Sequence, residues 1–325
     1  MMPPAFWTHD GWAARALSPL SALVAGLTAR RVARPGWRAP VPVLCCGNAG
    51  VGGAGKTTLV LDLVARLQAR GVAVHCLSRG YGGTARGPLL VDPACATAGL
   101  VGDEPLLLAG VAPTWVGRDR AASARQAVEA GAAALVMDDG LQNPGLVQDA
   151  ALLVIDGAVG FGNGRVLPAG PLREPVARAA LRCRAAVLIG EDRRHARAHL
   201  PAGLPVLRAR LVADRDLGGR RVLAFAGIAR PGKFFATLRQ SGAEILETIS
   251  FPDHHPFSQA DLARVLAAAA TLGVRPITTP KDMVRIPAAM RHQVDVLGVR
   301  LDWESPAEIE ALLAEWLDSN GSRAG

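Results

Sequence analysis

The stretch CCGNAGVGGAGKTTLV, residues 45–60, constrains the fold of this chain more than any other. Residues 50–57 match the spacing G-x-x-x-x-G-K-[ST] and lie between an apolar strand-like run and a helical pattern. In such a turn, glycines let backbone N–H groups point at phosphate oxygens, the lysine adds an ammonium group, and the threonine hydroxyl can bind magnesium. The stretch therefore predicts a nucleoside triphosphate site made by Gly50, Val51, Gly52, Gly53, Ala54, Gly55, Lys56, Thr57 and Thr58.

A magnesium ion in a site of this kind needs a carboxylate from a neighbouring strand end. The peptide ALVMDDG supplies Asp138 and Asp139 directly after four apolar residues. We expect one of these carboxylates, together with the Thr57 hydroxyl, to approach the metal. The sequence leaves open which aspartate is nearer.

The order of apolar runs predicts the fold class. From residue 42 onward, short strand-like runs alternate with helical patterns, which is typical of parallel strands joined by helices on both faces of a sheet. The polar segment ADRDLGGR, residues 213–220, precedes a second, shorter α/β pattern. We therefore predict an α/β fold with a P-loop NTPase-like α/β/α sandwich over residues 41–213 and a smaller α/β/α domain over residues 214–325.

We expect residues 1–40 to form a separate, helical N-terminal segment that associates with a membrane. Its uncharged run, residues 16–29, is too short to span the ~30 Å apolar core of a membrane. Leu20, Leu23, Val24 and Leu27 form one apolar helical face, and arginines follow at positions 30, 31, 34 and 38. This pattern suits a helix that lies on an anionic membrane surface, and it suits equally a terminal helix packed on the domain.

The composition bounds the kind of function. Only three of the 36 basic residues are lysines, so the net charge of +8 indicates a compositional bias more than a binding surface. An aromatic content of 4% leaves few side chains to stack on bases, and the sequence therefore does not favour a nucleic-acid partner. The five cysteines show no Cys-x-x-Cys spacing, which favours reduced thiols and the cytoplasm.

Eight peptides in one order narrow the class of protein further: GNAGVGGAGKTT, SRGYGG, GDEP, DDGLQN, LPAGPLREP, GIARPGKFF, FPDHHPF and TTPKDMVR. From about residue 42 to residue 286 they resemble the tetraacyldisaccharide 4'-kinase family of lipid A biosynthesis. The resemblance implies two α/β/α domains around an active-site cleft that the smaller domain closes, with ATP and Mg²⁺ as cofactors. It also implies transfer of the γ-phosphate to the 4'-hydroxyl of a tetraacyldisaccharide 1-phosphate, which gives lipid IVA, at the cytoplasmic face of the inner membrane. The lipid and the membrane surface would be the partners, and no oligomer is required.

The resemblance also assigns roles to individual residues. Asp103 of GDEP, paired with His254 of FPDHHPF, would accept the proton of the attacking hydroxyl, and His255 is the alternative histidine. Lys56 would complete the catalytic set. The resemblance implies that Tyr81, Arg120, Arg173 and Glu174 contact the substrate. The planar fork of an arginine suits the oxygens of the substrate phosphate. Weaker candidates are Arg79, which would add positive potential near the phosphates, and Lys233 and Lys281, which would act from the smaller domain.

One alternative stays open from the phosphate loop alone. A P-loop NTPase that acts as a regulatory or metal-delivery switch would share the loop and would hydrolyse nucleotide without any lipid. A GTPase is disfavoured, because TTPKD sets Lys281 beside Asp282 and lacks the Asn/Thr-Lys-x-Asp spacing that binds guanine. The chain departs from the family pattern at Leu141, where phenylalanine is usual, and in the small residues of its phosphate loop.

Overall fold

A computed structural model describes residues 4–321 of the chain. Its fold is built on two β-sheets. Residues 1–3 of the expected N-terminal segment and residues 322–325 of the expected smaller domain lie outside the described residues. The strands, in chain order, are β1 (Val43–Gly47), β2 (Val74–Ser78), β3 (Leu89–Leu90), β4 (Thr114–Val116), β5 (Ala134–Asp138), β6 (Ala150–Asp156), β7 (Ala185–Ile189), β8 (Val206–Ala213), β9 (Arg221–Ala226), β10 (Glu244–Ser250), β11 (Arg275–Thr278), β12 (Asp295–Val296) and β13 (Val299–Trp303).

Helices fill most of the connections between these strands. In chain order they are α1 (Trp12–Ala16), α2 (Ser18–Val32), α3 (Lys56–Ala69), α4 (Ala98–Val101), α5 (Asp103–Ala109), α6 (Arg120–Glu129), α7 (Val176–Ala180), α8 (Pro231–Gln240), α9 (Gln259–Thr271), α10 (Pro280–Met283) and α11 (Pro306–Gly321). Short 3₁₀ turns cover Ala5–Thr8, Ala196–His199 and Ala288–Gln293.

The larger sheet has the strand order β13-β8-β7-β6-β1-β5-β2-β4-β3. Its pairs are parallel except at the two edges, where β13 runs antiparallel to β8 and β3 runs antiparallel to β4. The smaller sheet has the order β10-β9-β11-β12 with parallel pairs throughout. The predicted combination of a mostly parallel sheet with a second, smaller α/β unit is confirmed.

Helices cover both faces of the larger sheet, because successive side chains of a strand point to opposite faces. In β1, Leu44 and Cys46 belong to one buried cluster with α3 and α11, whereas Val43 and Cys45 belong to another with α6 and α7. The smaller sheet repeats this arrangement: α8 covers one face and α9 the other. Both units are therefore α/β/α sandwiches.

The C-terminal residues belong to the larger sheet and not to the smaller unit. β13 pairs with β8 in the register Val299 opposite Ala213, and α11 buries Trp316 and its neighbours in the core around α3. The expected boundary assigned everything after residue 213 to the smaller domain, whereas this pairing returns residues 299–321 to the larger one. Sequence patterns could not show to which unit residues 299–321 belong, because an apolar strand and an amphipathic helix fit either sheet.

The N-terminal helix α2 packs on the larger unit with one face and leaves three leucines exposed on the other. Ser21 Oγ donates to Val166 O at 2.7 Å, and Val24 packs against the buried cluster below it. On the other side, Leu20, Leu23 and Leu27 are 53%, 59% and 55% exposed. Among residues 4–321, no helix has both the length and the apolar character to cross a membrane.

Candidate active site

The glycine-rich turn lies where the sequence predicts it, between the end of β1 and the start of α3. Gly55 has φ +85°, a left-handed conformation that glycine adopts without strain, and it caps the N-terminus of α3. A Cβ at this position would lie 2.9 Å from Ile189 Cδ1. The first N–H groups of α3 have no partner within the helix, so the turn and the helix end form a natural anion site.

Lys56 reaches back across this turn. Its Nζ donates to Asn48 Oδ1 at 3.1 Å and lies 3.6 Å from Asp139 Oδ1, and the side chain is 9% exposed. The ammonium group is thus held over the loop by two residues that follow neighbouring strands, β1 and β5. Asn48, the hydrogen-bond partner of Lys56, was not among the predicted site residues, although it lies in the quoted peptide GNAGVGGAGKTT.

Thr57 and Asp138 lie beside the lysine. Thr57 Oγ1 donates to Asp138 Oδ2 at 3.2 Å, while Asp138 Oδ1 is buried and has no hydrogen-bond partner among residues 4–321. Burial and the charge of Glu104 raise the pKa of Asp138 to about 7, although Lys56 acts against this rise. A buried carboxylate oxygen without a donor, next to a hydroxyl oxygen, fits Mg²⁺, which takes oxygen ligands and keeps several waters. Within the described part of the chain, no group of three or more His, Cys, Asp or Glu side chains could by itself hold a metal ion.

Asp139 is arranged differently from Asp138. Its φ is +53°, and its two carboxylate oxygens accept from Arg173 Nη1 and Nη2 at 2.9 and 3.1 Å. Burial acts to raise the pKa of Asp139, but Lys56 and Arg173 outweigh it and lower the pKa. Because Arg173 occupies both oxygens of Asp139, Asp138 is the better candidate for the metal ligand.

The Gly/Pro-rich segment between β6 and α7 lies along the phosphate turn. Arg173 N–H donates to Ala49 O at 2.7 Å, and Val51 N–H donates to Pro171 O at 2.9 Å. Glu174, which follows Arg173, is only 3% exposed and accepts from Arg182 Nη2 at 2.6 Å and from Gln142 Nε2 at 2.9 Å. Glu174 therefore fixes the segment through its buried carboxylate. Its partners Gln142 and Arg182 were not among the predicted site residues.

The other two expected substrate contacts differ in accessibility. Arg120 is 2% exposed at the start of α6, where its Nη1 donates to Gly117 O and burial lowers its pKa to about 10. Tyr81 is 70% exposed, and its ring centroid lies 5.9 Å from that of His254. The structure thus brings Tyr81 to the histidine and leaves Arg120 enclosed.

Asp103 and His254 meet between the two units. Asp103 is the first residue of α5 and is 5% exposed, and His254 Nδ1 donates to its Oδ2 at 2.9 Å. This hydrogen bond raises the pKa of His254, although burial opposes the rise. Burial also acts to raise the pKa of Asp103, but His254 and Arg285 lower it overall. The alternative histidine, His255, bonds Asp261 instead, at 3.1 Å.

Two cations of the smaller unit contact the larger unit, and one of them, Arg230, contacts the phosphate turn. Lys233 Nζ donates to Asp156 Oδ2 at 2.8 Å, and Arg230 contacts the same oxygen and donates to Gly53 O at 3.2 Å. Asp156 ends β6, two strands from β5 in the larger sheet. These contacts place the N-terminal end of α8 next to the phosphate loop.

The class of protein follows from the two groups that these units contribute to the site. A phosphate turn with a lysine and a metal-suited aspartate lies in the larger unit, and a carboxylate–histidine pair that joins both units can accept a proton from a hydroxyl group. Such an arrangement defines a P-loop kinase. The tetraacyldisaccharide-1-P 4'-kinase family matches residues 13–318, and the chain belongs to this family.

Similar proteins extend over nearly the whole chain. A tetraacyldisaccharide 4'-kinase of Gluconacetobacter diazotrophicus is 59% identical, covering 99% of this chain and 100% of that protein. A second one, of Rhodospirillum centenum, is 54% identical over 98% of this chain and 97% of its own length. The crystal structure of LpxK from Aquifex aeolicus in complex with ATP has a TM-score of 0.76 and 26% identity, covering 94% of this chain and 99% of that one.

Proposed function

We propose that this chain transfers the γ-phosphate of ATP to the 4'-hydroxyl of a tetraacyldisaccharide 1-phosphate, giving lipid IVA and ADP. The observation that carries the proposal is the Asp103–His254 hydrogen bond of 2.9 Å between the two units that also bring cations to the phosphate turn. The kinase name of the similar proteins and the ATP in the Aquifex structure support the same reaction. They favour it over a nucleotide-dependent switch.

The donor side of the reaction belongs to the phosphate turn. Its backbone N–H groups and the ammonium group of Lys56 would bind the β- and γ-phosphates of ATP. Thr57 and Asp138 would hold Mg²⁺, which neutralises charge on the phosphate oxygens when bound. Asp139 would keep Arg173 and Lys56 in place through the contacts it makes to both.

The acceptor side belongs to Asp103 and His254. As the 4'-oxygen forms its bond to the γ-phosphorus and the bond to the β-phosphate oxygen breaks, the hydroxyl proton passes to the Asp103 carboxylate. His254 orients that carboxylate by donating from Nδ1. Tyr81, beside the His254 ring, and Arg173 would contact the disaccharide and its phosphate.

The acyl groups of the lipid and the membrane surface would contact the protein at α2. Trp12 is 84% exposed, and the three exposed leucines of α2 form an apolar stripe. A groove of about 270 Å³ between α2 and α7 lies on the other side of the helix and does not include these leucines. Apolar stripes followed by arginines favour anionic lipid surfaces. We therefore place the chain at the cytoplasmic face of the inner membrane as a peripheral protein, with the lipid disaccharide as its partner.

The test is a transfer assay with γ-labelled ATP. The detergent-solubilised tetraacyldisaccharide 1-phosphate should become labelled, and the same lipid with its 4'-hydroxyl blocked should not. Lys56→Ala should lower the rate by roughly 100-fold or more, because one cation at the developing charge is lost. Arg70→Ala, at the far end of α3, is the matched control and should retain activity. Acceptor-independent ATP hydrolysis without labelled lipid would support the switch instead.

A further inference from the structure

Arg285 is a buried guanidinium at the contact between the two units. Its side chain is 4% exposed, and it follows α10 of the smaller unit. The Nε atom lies 3.2 Å from Asp103 Oδ2, which is the same oxygen that accepts from His254 Nδ1 at 2.9 Å. One carboxylate oxygen thus accepts the hydrogen bond of His254 and forms an ion pair with Arg285, whose Nε–H donates to Lys281 O at 3.1 Å.

The same guanidinium also holds the backbone around His254. Arg285 Nη1 donates to Gly227 O at 2.9 Å and to His255 O at 3.4 Å. Gly227 O in turn accepts from His254 N–H at 3.1 Å, and His254 has a left-handed φ of +57°. A non-glycine residue in this conformation persists only where its surroundings enforce it, and Arg285 supplies contacts on both sides of it.

We infer that Arg285 is a positioning residue for the Asp103–His254 pair, which holds the carboxylate of the larger unit against the histidine loop of the smaller unit. The inference rests on the proposed role of that pair in phosphoryl transfer. A lysine cannot replace the guanidinium, because a single ammonium group lacks the rigid fork that reaches Asp103, Gly227 and His255 together.

The charge of Arg285 has a measurable effect on the pKa values of Asp103 and His254. Its positive charge favours the ionised form of Asp103 and contributes to the lowered pKa of that carboxyl. It opposes protonation of His254, whose pKa is nevertheless raised by the hydrogen bond to Asp103. The other charged groups that face these three side chains are Lys281, Asp253 and Asp282. Removal of the guanidinium charge should move the Asp103 titration upward by about one pH unit.

The decisive experiment follows the titration of Asp103 in the full chain by ¹³C NMR of carboxyl-labelled aspartate, with the signal assigned by its absence in Asp103→Asn. In Arg285→Gln the midpoint should rise by about one unit, and in Arg285→Lys by clearly less. Arg291→Gln is the matched control, since Arg291 is another arginine of the same segment and donates to Ile286 O and Val284 O instead. An unchanged midpoint in Arg285→Gln overturns the inference.

The kinetic arm uses the transfer assay across pH. The acid limb of kcat/KM should shift to higher pH in Arg285→Gln and stay near that of the wild type in Arg285→Lys, with kcat reduced in both. The Asp103 midpoint could rise in Arg285→Gln as expected while the wild-type chain transfers no phosphate to the lipid. That outcome would refute the proposed function and leave the positioning role of Arg285 intact. If Arg285→Gln does not fold, Arg285→Lys alone decides: wild-type kcat together with a wild-type Asp103 midpoint would overturn the inference.

Discussion

Lys281 of α10 donates a hydrogen bond of 2.8 Å to Glu104 of α5, so an ion pair joins the two units next to the residue pair Asp103 and His254. Burial acts to lower the pKa of Lys281, but Glu104 outweighs it and raises the pKa. The lysine therefore stays charged, and Glu104, which also raises the pKa of Asp138, is compensated by it. The charges of this pair therefore act on the Asp138 carboxyl in opposite directions.

A double-mutant cycle of Lys281→Met and Glu104→Gln should show a coupling of about 1 kcal/mol in the free energy of unfolding, because the pair is partly buried. Urea unfolding of the four chains measures it. The exposed pair Arg193 and Glu191 is the control and should show coupling near zero. Equal couplings for the two pairs would contradict a special role for the contact between the units.

Asp103→Asn should lower the pKa of His254, since the hydrogen bond to Asp103 is the main cause of its rise. In the wild-type chain, the protonated His254 stabilises the fold below its unfolded pKa of about 6.5, and this contribution is lost as pH rises through the higher folded pKa. The variant should lack that contribution at low pH. Imidazole NMR titration and unfolding at several pH values measure both effects, and Asp261→Asn, which affects His255, should leave His254 unchanged.

Replacement of Leu20, Leu23 and Leu27 by serine should weaken binding to anionic phospholipid vesicles by roughly 100-fold, because each half-exposed leucine contributes about 1 kcal/mol when a membrane covers it. Thermal stability should stay close to that of the wild type. Val24→Ser, on the packed side of α2, should do the reverse and lower stability with little effect on vesicle binding. Unchanged vesicle binding in the triple variant would remove α2 from the membrane proposal.

Trp316→Ala should destabilise the larger unit by about 3–5 kcal/mol, because Trp316 is 1% exposed in the core that α11 shares with α3. Urea unfolding of the full chain is the measurement. Its neighbour Glu315 is largely exposed in a surface ion pair with Arg184, so Glu315→Ala should change stability by less than about 0.5 kcal/mol. A small loss for Trp316→Ala would mean that α11 contributes little to that core.

The phosphate turn was predictable because its function depends on local spacing: the glycines, Lys56 and Thr57 lie within eight residues. The alternation of strands and helices could likewise be predicted from short stretches of sequence. The antiparallel pairing of β13 with β8 could not be predicted, since it joins Val299 to Ala213 across the whole smaller unit. Long-range pairing of this kind leaves no periodic signal in either segment.

The site was predictable only in part, for a similar reason. Asp138 and Asp139 are adjacent in sequence, yet the left-handed φ of Asp139 turns it toward Arg173 while Asp138 stays beside Thr57. Nothing in the dipeptide distinguishes them. Arg285 was missed because one arginine among many in the sequence carries no mark of burial.

The return of the chain to the larger sheet also limits how the two units can move. The segment that leaves β8 and the segment that enters β13 lie side by side, since Asp214 N–H donates to Gly298 O at 3.1 Å and Gly298 N–H donates to Asp214 Oδ2 at 3.1 Å. We expect two connections so close together to resist sliding of one unit past the other more strongly than rotation about the line that runs along them. The distance between Asp103 and His254 would then depend mainly on that one rotation.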